Sequence, residues 1–133
     1  NIACCLETAR STAEVAAFPG KITIVDGKIR HHETPQFGAS KHLASMLIDS
    51  RVYDKSKTAI LNVQPGAEKE KIETICEDLD LNLTFAPKGD LIPHQGIDII
   101  LDEGAFGWEP SLYILAHNPL ELVDRMHRII SLL

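Results

Sequence analysis

The chain has 133 residues, 44% hydrophobic and 24% charged, which suits one globular domain and excludes a disordered segment. Its formal net charge is −6 with 5% aromatics, which argues against a nucleic-acid partner because nothing offsets repulsion from the phosphate backbone. No apolar run approaches the ~18 residues of a membrane span and no signal peptide is visible, so a cytoplasmic protein without a membrane partner is expected.

Residues 2–6 (IACCL) form a short apolar run, expected to be a buried strand. Ser11 and Glu14 have the spacing of a capping box, predicting a short helix that ends before Pro19-Gly20. Residues 21–32 read as a hairpin: Ile22 and Ile24 alternate into Asp26-Gly27, a favoured two-residue turn, and Ile29 continues the return strand. Leu43, Met46, Leu47 and Ser50 fall on one face of a helix over 40–51. Residues 58–63 are a buried strand ended by Pro65-Gly66. Ile72, Ile75, Cys76 and Leu79 mark the inner stripe of a surface helix. Strands follow over 81–86 and 96–101. Asn118 caps the last helix with Pro119 in its first position. Leu122, Val123, Met126, Ile129, Ile130 and Leu133 are its expected buried face. Cys4, Cys5 and Cys76 are odd in number and include an adjacent pair, which predicts buried free thiols and no disulfide framework.

The hairpin requires antiparallel pairing, so the interleaved strands and helices predict an α/β fold with a mixed sheet and helices on its faces.

Three stretches can carry chemistry. Phe37-Gly38-Ala39-Ser40-Lys41-His42 places small residues, a hydroxyl and two cationic groups at a helix start. Free N–H groups and the positive end of the helix dipole bind phosphate there, although an ordinary capped helix has the same pattern. His42, Ser45 and Asp49 share a helical face, but triad partners normally converge from different elements, so these read as a solvated face. Asp102, followed by a glycine-rich loop with Trp108 and Glu109, stands where ligand or Mg²⁺ sites often form; the plainer reading is acids that bind loop N–H groups. Pro19-Gly20-Lys21 is unremarkable alone. His31-His32 sends its rings to opposite faces and is no metal clamp.

Taken together, residues 11–22 (STAEVAAFPGKI), 37–44 (FGASKHLA), Leu61-Asn62 and 98–119 (DIILDEGAFGWEPSLYILAHNP) resemble, in order and spacing, the ThiN-type thiamine-phosphate synthase domain. Asn1-Ile2 resembles a stretch near that domain's start, and the resemblance covers about residues 1–130.

The resemblance implies a three-layer α/β/α sandwich on a mixed, mostly antiparallel sheet of the class II aldolase type. It implies a single domain over 1–133, a preceding segment before Asn1, and an N-terminal hydroxymethylpyrimidine kinase domain in the same parent chain. The implied reaction condenses hydroxymethylpyrimidine pyrophosphate with hydroxyethylthiazole phosphate, normally with Mg²⁺, giving thiamine phosphate and pyrophosphate. Lys21 and His42 match the family's active-site basic residue and histidine, and Gly38, Ala39, Ser40 and Lys41 match its phosphate loop. Asn62, Asp102 and Glu109 are candidates for substrate or Mg²⁺, the last two equally for the pyrimidine's exocyclic amine. The family usually has Arg where this chain has Lys21 and Lys41, which keeps the charge but loses the two-pronged grip on phosphate. A rival expectation is a sensor module of a thiamine-responsive transcriptional regulator. Oligomeric state is open, with a homo-oligomer among the options.

Overall fold

Residues 1–86 and 96–133 are described in this computed structural model. The chain runs β1 (Ile2–Cys5), a 3-10 turn (Thr12–Glu14), β2 (Val15–Ala17), β3 (Thr23–Val25), β4 (Lys28–Arg30), β5 (Gln36–Phe37) and α1 (Lys41–Arg51). It continues through β6 (Ala59–Val63), α2 (Lys69–Asp78), β7 (Leu83–Phe85), β8 (Ile99–Asp102), β9 (Ser111–Ala116) and α3 (Pro119–Ile130). Seven strands form the main sheet in the order β5-β2-β1-β6-β9-β8-β7. Its pairs are antiparallel except for β7 with β8, so the sheet is mixed and mostly antiparallel.

Side chains alternate across a strand, and this sorts the core into two. Ala3, Ala17, Ile60, Ile100, Tyr113 and Leu115 face one way and pack under Leu43, Ala44, Met46 and Leu47 of α1. Leu61, Ile99, Leu101, Leu112 and Ile114 face the other way, beneath α2 and α3, which contribute Ile72, Ile75, Leu122 and Ile129. The result is the expected three layers. Each such Leu or Ile is worth roughly 1.5–3 kcal/mol on burial. Helices of this length do not persist in water alone, so packing holds them. Asn118 caps α3 by accepting from the Glu121 N–H at 2.9 Å.

Several expectations need correction. Residues after Ser11 make one 3-10 turn and then β2, with no longer helix. Pairing to β1 on one side and β5 on the other overrides the local capping signal. The hairpin at 23–30 forms on its predicted turn, where Asp26 and Gly27 both have positive φ, but it is a separate two-stranded sheet with exposed strands. The mixed character of the main sheet therefore comes from other pairings. β9, at the heart of the sheet, was not among the predicted strands. Val123 and Ile130 of α3 are exposed, leaving Leu122 and Ile129 as its fully buried residues. Cys4 and Cys5 are half-buried free thiols, whereas Cys76 is buried, and burial pushes its thiol up to about 11.

At the sheet end where β6 starts and β9 finishes, Lys57 donates to Asp98 at 2.6 Å and Arg125 donates to the same carboxylate at 2.9 Å. Arg125 also bonds Glu121 at 2.8 Å and the Leu115 carbonyl. The Asn82 backbone N–H reaches the other Asp98 oxygen at 3.0 Å. Nearby, the Arg51 guanidinium ties α1 to the carbonyls of Glu7, Lys55 and Lys57. Among the described residues, no helix is long and apolar enough to cross a membrane.

Candidate active site

The opposite end of the sheet is organised differently. On the α1 side, alternation carries the core row outward to polar side chains. Beyond Ile60 comes Asn62, beyond Ile100 comes Asp102, and before Leu115 come Tyr113 and Ser111. Register sets Asn62 opposite Tyr113, and Asp102 opposite Ser111. β1 begins at the same end, where the Asn1 nitrogen donates to Asn62 Oδ1 at 3.0 Å and the Asn1 side chain donates to the Phe18 carbonyl.

The first turn of α1 stands over this row. His42 Nε2 lies 2.9 Å from the Tyr113 hydroxyl. The phenol can donate or accept, so it serves either protonation state of the ring. Burial, helped by the charge of Asp102 and opposed by a bond from Ser111, raises the Tyr113 pKa, so the phenol is neutral at ordinary pH. The His42 ring also meets the edge of Trp108, with centroids 6.1 Å apart and planes at 75°.

Asp102 is fully buried (0%), and the loop after it is built around its carboxylate. Trp108 Nε1–H donates to one oxygen at 2.7 Å and the Gly104 N–H to the other at 2.9 Å. The loop then closes on itself through paired backbone bonds between Ala105 and Trp108, both 2.9 Å. Gly104 is required here: its φ is +76°, and a Cβ would sit 2.6 Å from the Trp108 carbonyl oxygen. Glu109, by contrast, is exposed on the outer rim.

The phosphate-loop candidates lie at the head of α1. Gly38 has φ +73° and its N–H donates to the Val15 carbonyl, which turns the chain from β5 into the helix. Ser40 is the N-cap but its side chain makes no capping bond. Lys41 is exposed at the rim. Lys21 follows Gly20, and both have φ +70°. A lysine in this region is strained, and such outliers concentrate at functional sites.

The structure therefore sets His42 against Tyr113 and Trp108, ties Trp108 to Asp102, and places Asn62 opposite Tyr113. It does not bring Glu109 into an ion pair among the described residues. His42, Ser45 and Asp49 are exposed and form no triad. Tyr113 and Ser111 escaped the sequence reading. The signal was present in residues 111–116: a strand whose first and third residues are polar-tipped sits with both on one face. Among the described residues, no group of three or more His, Cys, Asp or Glu side chains is arranged to hold a metal.

Known proteins are similar to this chain in sequence and in fold. The thiamine-phosphate synthase ThiN of Methanothermobacter thermautotrophicus is 26% identical over 132 aligned residues, covering 84% of this chain and 68% of that protein. A crystal structure of the C-terminal domain of protein MJ0236 superimposes with a TM-score of 0.81 at 22% identity, covering 98% of this chain and 80% of the other. The C-terminal domain of a phosphomethylpyrimidine kinase gives 0.80 at 21% identity, covering 99% and 83%. The family model for thiamine-phosphate synthase ThiN matches residues 1–128, so this chain belongs to the ThiN thiamine-phosphate synthase family.

Proposed function

We propose that this chain joins hydroxymethylpyrimidine pyrophosphate to hydroxyethylthiazole phosphate, releasing pyrophosphate and thiamine phosphate. The observation that carries this reading is His42, held by Tyr113 in the first turn of α1 beside Ser40 and Lys41.

The chemistry asks little of a base. The bond from the pyrimidinylmethyl carbon to the pyrophosphate oxygen breaks, and its electron pair leaves with the oxygen. The carbon becomes a cation delocalised into the aminopyrimidine. The thiazole nitrogen lone pair then forms the new C–N bond, leaving a thiazolium. The protein must neutralise the leaving group and align two rings. Lys21, Lys41, His42 and the N–H groups of α1 do the first. Asn62 and Ser111, on the inner row, can orient a ring through its polar edge. Mg²⁺, if bound through the pyrophosphate with Glu109 or Asp102 as candidate carboxylates, would supply further positive charge to the leaving group.

The C-terminal domain of a phosphomethylpyrimidine kinase has the same fold, which supports a parent chain that carries such a kinase before this domain. The test is direct. The purified chain, with both substrates and Mg²⁺, is expected to form thiamine phosphate and pyrophosphate in equal amounts by mass spectrometry. Tight binding of thiamine phosphate without turnover would return the sensor reading.

A further inference from the structure

The chain has a single tryptophan, and its setting is unusual for a residue that merely covers a loop. Trp108 remains 40% exposed, yet its indole N–H is bound at 2.7 Å to a carboxylate with no exposure at all. A buried carboxylate is costly unless its hydrogen bonds are well made. Here the Gly104 N–H holds the second oxygen, and the Ala105–Trp108 turn fixes the loop's path. Three constraints thus converge on the orientation of one ring. That ring stands edge-on to His42, which itself rests on Tyr113.

Building on the function proposed above, we propose that Trp108 is the aromatic wall of the ring site, facing the pyrimidine as it becomes cationic, and that Asp102 is the positioning residue that holds the indole there. Tryptophan offers the most electron-rich face of any side chain, and attraction for a cation strengthens when water is excluded. A hydrogen bond from the indole to a carboxylate adds electron density to the ring. The pyrimidine gains its charge only as the C–O bond breaks, so this contact is stronger in the transition state than with bound substrate. Asp102 does not need to touch the substrate or Mg²⁺ in this scheme.

The experiment uses Trp108 as its own reporter. The wild-type chain is titrated with thiamine phosphate, which carries a thiazolium, while tryptophan emission is followed. Saturable quenching is expected. Kinetics and calorimetry with inorganic pyrophosphate plus Mg²⁺ are then compared for wild type, Trp108→Phe, Trp108→Ala and Asp102→Asn. Trp108→Ala is expected to lower kcat at least tenfold and Trp108→Phe only a few-fold. Asp102→Asn should lie between them with its emission shifted to longer wavelength. Pyrophosphate affinity should stay within twofold in all. Unchanged kcat in Trp108→Ala, with an active wild type, overturns the proposal and leaves the synthase reading standing. Equal loss of pyrophosphate binding in the folded variants also overturns it, because the loop would then be a general support. A wild type that neither binds thiamine phosphate nor turns over removes both readings together.

Discussion

Two buried aspartates, four positions apart, mark the two ends of the sheet, and their partners among the described residues differ. Asp98 is met by the cations Lys57 and Arg125, with Glu121 and Asn82 completing the network. Among the described residues, Asp102 accepts from the N–H groups of Trp108 and Gly104. At the Asp98 end the opposite charges are supplied from within the fold. At the Asp102 end the rim carries Lys21, Lys41 and His42, and among the described residues none of these forms an ion pair. One end ties sheet and helix together by ion pairs, and the other carries the residues of the proposed site.

The largest expected effect is at the open end. His42→Ala should lower kcat on the order of a hundredfold, roughly 2.7 kcal/mol of barrier, with no change in thermal stability beyond ~0.5 kcal/mol. Steady-state kinetics and a melt on the same sample check both halves. A fall below about fivefold would make His42 a packing partner of Tyr113 and erase the distinction between the ends.

Next is the closed end. Asp98→Asn leaves the Lys57 ammonium, 3% exposed, without its anion, and should cost about 3–5 kcal/mol. Activity below the melting range should be unchanged. The pH dependence follows the same residue. Burial pushes the Asp98 carboxyl up, but the bond from Lys57, the Asn82 N–H and the charges of Lys57 and Arg125 outweigh it and hold the group below its ordinary value. A carboxylate depressed in this way stabilises fully above the unfolded value of about 3.9 and loses that contribution as pH falls through the lower folded value. Wild-type melting temperature should thus hold from pH 7 to 5 and drop below about 4. Asp98→Asn should start lower and lose less over that acid range.

Third comes Gly104→Ala, which attacks the frame of the Trp108 loop. The new Cβ meets backbone at 2.6 Å in a left-handed conformation, so the loop must shift. A cost of ~1–3 kcal/mol is expected, with tryptophan emission moving to longer wavelength and kcat falling with it. Wild-type emission and rate in this variant would show that the loop's tight path does not matter to the site.

What could be read from the sequence follows the range of the interactions. Asp26-Gly27, Asn118-Pro119 and the Gly38–His42 loop are local signals, and each marks the element it was expected to mark. Val15 to Ala17 is a strand only because β1 and β5 flank it, and nothing within seven residues of sequence says so. β9 presents an apolar run between a loop and a helix cap, and its centrality comes from pairing with β6 and β8, both distant in the chain. For the site, His42 and Lys21 were legible through family resemblance, but the neighbours that support His42 were not. Tyr113 lies 71 residues away and acts through strand parity. For Asp102 the sequence left open a ligand role and the plainer binding of loop N–H groups; the structure shows the latter bonds, from Trp108 and Gly104, which depend on where the chain returns after Gly104.

The smallest effect, and the most diagnostic of what the open end sacrifices, belongs to Lys21. Its φ of +70° is one that lysine adopts at a cost and glycine does not. Lys21→Gly should relieve that strain, partly offset by the greater freedom of glycine in the unfolded chain, for a net gain of about 0.5–1 kcal/mol. The melting temperature should rise by a few degrees while turnover is lost. Lys21→Arg keeps the strain and the charge and adds the two-pronged grip on phosphate, so stability should stay within ~0.5 kcal/mol and activity should hold or rise. A more stable and inactive glycine variant beside an active arginine variant would show that the strained backbone is tolerated for the cation it presents. If Lys21→Gly were instead less stable, the lysine would be supporting the turn after β2. The open end would then owe its cation to the fold, and the contrast with Asp98 would rest on Lys41 and His42 alone.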